Sequence, residues 1–84
     1  MVLEKTHKLT LLNDDEHSFE YVTACLIELC EHDQIQAIQC VSIVDGVGKY
    51  DIKNGDFDYI LDLKSKLAEV GLVTEISENE SNLH

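Results

Sequence analysis

Eighty-four residues are enough for one domain and too few for two separate cores, because domains mostly run from about 50 to 200 residues. Seventeen Asp and Glu against six Lys and Arg give a formal net charge of −11. That balance argues against nucleic acid and against an anionic membrane surface, both of which need clustered Lys and Arg, and favours a cationic ligand or a basic protein surface.

In chain order, His7 to Leu12 predicts a strand with Leu9 and Leu11 on one face, stopping at the turn formers Asn13-Asp14-Asp15. Ser18 is an N-cap candidate for a helix over 19–31, whose apolar stripe is Phe19, Val22, Leu26, Leu29 and Cys30. Asp33 followed by Gln36 reads as a variant capping box, opening a second helix. Its apolar residues (Ile35, Ala37, Ile38, Cys40, Val41, Ile43, Val44) cover more than one face, which predicts a central, well-buried helix ended by Gly46. Lys49 to Lys53 alternates like a short strand.

Asn54-Gly55 is a turn signal that invites a hairpin, but a third helical stripe starts at once with Phe57, Ile60, Leu63, Leu67 and Val70. Asp62 and Lys66 are set for an ion pair on its outer face, Gly71 ends it, and Leu72 to Ile76 supplies a last strand. The order β-α-α-β-α-β lacks the repeated units of a doubly wound sheet. It predicts an α+β domain over residues 7–76, a small sheet with helices on one face, between flexible termini 1–6 and 77–84.

The absence of Pro leaves the turns to Gly, Asn and Asp. Cys25, Cys30 and Cys40 make an odd count, and residues 1–12 lack a signal-peptide pattern. They read as reduced, core thiols of a cytoplasmic protein. No stretch approaches the ~18 apolar residues that span a bilayer.

Catalytic and metal-binding chemistry finds little purchase. Cys25 and Cys30, five apart, fall on different sides of a helix, and neither they nor His17 and His32 show zinc-ligand spacing. A Cys–His nucleophile lacks a third, orienting group, and Gly46-Val47-Gly48 lacks the lysine and further glycines of a phosphate loop. No cofactor and no enzymatic activity are expected. The informative segment is Asn13-Asp14-Asp15, which is either a plain acidic turn or a set of acceptors for a cation.

This segment, with Phe19-Glu20-Tyr21-Val22, Gln36-Ala37, Val44 and Gly48-Lys49 at matching intervals, resembles the ClpS family of Clp protease adaptors. The resemblance covers about residues 7 to 76 and weakens after Lys49. It implies a three-stranded antiparallel sheet packed on three helices, and a non-catalytic adaptor that binds the N-terminal residue of a substrate protein. The implied partners are the N-terminal domain of a Clp unfoldase and substrates with a large apolar first residue (Leu, Phe, Tyr or Trp).

By the same resemblance, Asn13 and Asp14 bind the substrate's α-amino group, and Phe19, Val22, Val41, Val44 and Leu72 line an apolar hole. The sequence departs from the family at Asp45, where the family has a His that ligates the ammonium. Asp45 is either a third ligand for that cation or a solvated helix end. Phe19 replaces a Met or another aliphatic residue and narrows the hole, and His17 stands where a small hydroxyl residue is usual. Residues 1–6 are shorter than the extension that takes part in delivery within the family. The rival expectation is the same fold acting as a Clp-binding or other protein-interaction module with its pocket closed by Phe19.

Overall fold

The structure, a computed structural model, describes residues 6–14 and 16–78. Three strands and three helices follow in the expected order: β1 His7–Leu12, α1 Phe19–Cys30, α2 Gln34–Val47, β2 Lys49–Gly55, α3 Phe57–Glu69 and β3 Thr74–Glu78. The sheet is antiparallel throughout, in the order β2-β1-β3, so the first strand of the chain is its middle strand. A middle strand has no open edge, and Leu9, Thr10 and Leu11 of β1 are all buried, on its two faces. Leu9 and Leu11 are buried toward the helices, while Lys8 pairs with Asp51 and Thr10 donates to Asp51 Oδ1 on the other face.

Each helix contributes one apolar stripe to the core beneath Leu9 and Leu11. α1 gives Leu26 and Cys30, α2 gives Ala37, Cys40, Val41 and Val44, and α3 gives Ile60, Leu63 and Leu67. The outer face of α3 carries the Asp62–Lys66 ion pair at 3.1 Å. The three cysteines are free and buried, and burial pushes the Cys30 thiol up to about 11, which keeps it protonated and apolar in behaviour.

Several expectations are corrected. α2 is buried on one face only: Ile35 is 71% exposed, and Ile38 and Val47 are exposed too, because α1 and β2 cover a single side of it. α2 also continues past Gly46, and the left-handed residue that ends it is Gly48, at φ 107°. Asn54 and Gly55 are not in a turn. They extend β2 and pair with Lys8 and His7 of β1. Ser77 and Glu78, expected in a loose tail, belong to β3, which starts at Thr74 rather than Leu72. The remaining tail residues, 1–5 and 79–84, lie outside the described residues, as does Asp15.

One junction ties the helical pair to the sheet. Leu9 pairs with Lys53 and Thr10 with Asp51, so Ile52 is an extra residue on β2, a bulge that keeps its side chain in the core. His32 satisfies its carbonyl: Nε2 lies 3.0 Å from the Ile52 oxygen, which can only accept, so Nε2 carries the proton. The left-handed Glu31, at φ 60°, ends α1 just before this histidine. Replacing His32 with Ala leaves a buried carbonyl without its donor and opens a hole in the core. The variant should lose about 2–4 kcal/mol, read as a lower urea midpoint at unchanged slope.

Candidate functional site

The chain leaves β1 at a fixed place. Leu12 N–H donates to the Val73 carbonyl (3.0 Å) and Asn13 N–H to the Gly48 carbonyl (2.9 Å). These two bonds bring together the end of β1, the end of α2 and the approach to β3, and α1 closes the remaining side. Between them lies a cavity of about 70 Å³, open to solvent.

Every residue that the resemblance assigned to a site lines this one cavity, Asn13 and Asp14 as polar groups and Phe19, Val22, Val41, Val44 and Leu72 as apolar wall, and the departing Asp45 lines it too. Val41, Val44 and Leu72 are buried core residues, so the cavity floor is the top of the core. Phe19 is 41% exposed on the first turn of α1 and forms the outer wall. Asp45 sits in the last turns of α2, where helix carbonyls already present negative charge. A cation placed there meets both.

Asp14 is held firmly. Its Oδ1 accepts from the backbone N–H of Glu16 (2.8 Å) and of His17 (3.0 Å), a local turn made by the aspartate side chain. Burial favours the neutral acid, but these donors and the His17 ring outweigh it and hold the carboxyl below its ordinary value. Ser18 then caps α1 by accepting from Tyr21 N–H.

His17 is the residue that sequence reasoning left without a role. Its Nδ1 lies 3.1 Å from both Oδ1 and Oδ2 of Asp14, and its ring stacks on Tyr21 with centroids 5.0 Å apart. The Tyr21 hydroxyl in turn donates to the Val70 carbonyl at the end of α3 (2.7 Å). His17 and Ser18 both line the cavity, as do Leu11 and Leu12. The only signal for His17 in the sequence is its place three residues after Asp14, the reach of an aspartate-centred turn.

Among the described residues no three His, Cys, Asp or Glu side chains group as metal ligands, and no helix is long and apolar enough to cross a membrane. The described residues form a small α+β domain with a hollow that is apolar at its floor and rimmed by Asn13, Asp14 and Asp45. The family model described as ATP-dependent Clp protease adaptor protein ClpS matches residues 3–75. The chain therefore belongs to the ClpS family of Clp protease adaptors.

Among solved structures, Agrobacterium tumefaciens ClpS2 bound to L-phenylalaninamide is similar in fold, with a TM-score of 0.78, covering 89% of this chain and 98% of that one at 20% sequence identity. No curated protein matches the sequence.

The Asp14 turn has a consequence for stability. A carboxyl held low in the folded state stabilises the fold above its unfolded value and loses that contribution as pH falls through the folded value. Asp14→Ala should cost about 1 kcal/mol near neutral pH, the usual net worth of such side-chain hydrogen bonds to the backbone. The difference from wild type should narrow as pH falls below the ordinary carboxylate value of ~3.9, which urea melts across pH 2.5 to 7 will read.

Proposed function

We propose that this chain is an adaptor that holds the N-terminal residue of a substrate protein in the cavity at the end of β1 and presents that protein to the N-terminal domain of a Clp unfoldase. The observation that carries the reading is the convergence of Asn13, Asp14 and Asp45 on a hollow whose floor is apolar. A free α-ammonium is a cation with three donors, joined by one carbon to a side chain. Carboxylates beside an apolar floor match that pairing, and an internal or acetylated residue has no charge and at most one N–H donor. The related fold of Agrobacterium ClpS2 with L-phenylalaninamide, an amino-acid amide with a free amino group and an apolar side chain, supports the same ligand class.

On this reading Asp45 takes the role of the family's ligating histidine as a fixed negative charge. Fluorescence anisotropy with ten-residue peptides starting in Leu should show binding that N-acetylation weakens by about a hundredfold, the worth of a charged pair of hydrogen bonds. Asp45→Asn should weaken it by about tenfold. Equal affinity for free and acetylated peptides sinks the reading.

The hollow is about half the ~150 Å³ that admits a benzene ring in a protein core. Its size therefore favours Leu over Phe or Trp as first residue, with Phe19 as the limiting wall. Phe19→Ala should reverse that order in the same assay. A preference for Phe that the substitution leaves untouched would show that Phe19 does not set the size.

The narrowness of the hollow also favours a second reading, in which the domain binds an unfoldase with no terminus in the cavity. Capture of an unfoldase unaffected by excess free-amine peptide, together with no peptide binding, is its signature.

A further inference from the structure

We infer that His17 is a built-in competitor for Asp14, so that a substrate's terminal ammonium binds more weakly when His17 is protonated. The inference rests on the N-terminus-binding reading above and adds to it a residue that tunes the site.

Asp14 is close to saturated before any ligand arrives. An ionised carboxylate has about four lone-pair positions. Oδ1 receives the N–H groups of Glu16 and His17, and the His17 ring nitrogen Nδ1 straddles Oδ1 and Oδ2 at 3.1 Å from each. Because that carboxylate can only accept, Nδ1 carries a proton in either charge state of the ring. The second proton of an imidazolium therefore goes on Nε2. That atom faces Gly71, where the backbone has φ 90° and an added Cβ would fall 2.9 Å away. The α3–β3 turn thus meets the ring with backbone and no charge.

The charged and titratable groups around the ring are few among the described residues. On its own loop they are Asp14 and Glu16. Tyr21 of α1 stacks on it, and Asp45 of α2 lines the same cavity. Among the described residues no Lys or Arg lines the cavity, so among them the imidazolium is the cation of this wall that can be switched off.

A protonated His17 and a terminal ammonium are both donor-only cations aimed at the Asp14 carboxylate. Seated together they repel, and either one weakens the hold of the other. Neutral His17 keeps its Nδ1–H on Asp14 but leaves the carboxylate charge to the ligand. The affinity for a free N-terminus then rises with pH through the range in which histidines titrate, as one proton is released on binding. The ligand itself stays charged over this range, since α-amino groups titrate near ~7.7–8.0.

The test measures anisotropy of a fluorescein-labelled ten-residue peptide with a free N-terminal Leu, beside its acetylated form, at pH 5.0, 6.0 and 7.0. Binding by wild type should fall on the order of tenfold from pH 7.0 to 5.0, never steeper than tenfold per unit for one proton. His17→Asn and His17→Gln keep an N–H donor for Asp14 without a titrating charge. Both should match wild type within about twofold at pH 7.0 and stay flat to pH 5.0, provided their unfolding midpoints are near wild type. In NMR spectra at pH 6.0, leucinamide should move the His17 ring signals toward those of the neutral imidazole.

A flat wild-type profile overturns the inference. So does a full pH dependence in both variants, which would assign it to another group. Loss of affinity in both folded variants at every pH also overturns it, because His17 would then support the ligand rather than compete with it. If free and acetylated peptides fail to bind wild type at any pH, the N-terminus-binding reading itself has failed, and this inference falls with it. That result is distinct from free-amine binding that ignores pH.

Discussion

Two backbone hydrogen bonds at the end of the middle strand hold the site together. Leu12 N–H to Val73 and Asn13 N–H to Gly48 join β1 to two segments far from it in sequence. Because β1 is hydrogen-bonded along both sides, its end cannot shift independently of the sheet. The polar loop after Leu12 is therefore carried by the most constrained part of the molecule. Gly48 is needed for the same reason. Its positive φ turns the chain from α2 straight into β2, so that its carbonyl meets Asn13, and an L-residue there would strain the turn.

Charge decides what this arrangement can hold. The chain carries −11 overall, and the cavity adds Asp14 and Asp45 to a rim near the negative end of α2. Asp14 is quieted locally by two backbone donors and the His17 ring. Asp45 has no hydrogen bond of that kind among those described, so a cation in the cavity gains most on its side. The long-range field acts in the same direction, drawing positively charged chain ends and basic surfaces and repelling phosphates.

Much of the fold was legible because one-sided burial leaves a period in the sequence. The stripe Phe57, Ile60, Leu63, Leu67, Val70 marks α3, and all of it but the first and last residue is fully buried. What was not legible is non-local. Asn54-Gly55 carries a turn signature, yet pairing with His7 and Lys8 outweighs that preference. Gly46 reads as the helix end, but the positive φ of Gly48 and its bonds to Val44 and Asn13 place that end two residues later. The seven apolar positions of α2 suggested burial all round, but their number does not tell how many elements pack against the helix. The site residues came from likeness to a family. His17 was missed because its partner contacts depend on a turn that Asp14 makes only once both backbone donors are in place.

The same geometry accounts for how such a site can be selective with so little volume. Val41, Val44 and Leu72 are core residues whose outer edges form the cavity floor, so an apolar side chain entering it extends the core. Burying ~100 Å² of apolar surface contributes roughly 2.5 kcal/mol, and any exposed Leu of any protein could supply that much. Area alone cannot separate a chain terminus from an internal loop. The separation has to come from the rim, where a charged group with three donors meets carboxylates that an amide N–H cannot satisfy. On the proposed function, the floor gives affinity for a class of side chain and the rim gives the demand for a free terminus. A change at Phe19 should then alter which residue is preferred, while a change at Asp14 or Asp45 should alter how strictly a terminus is required.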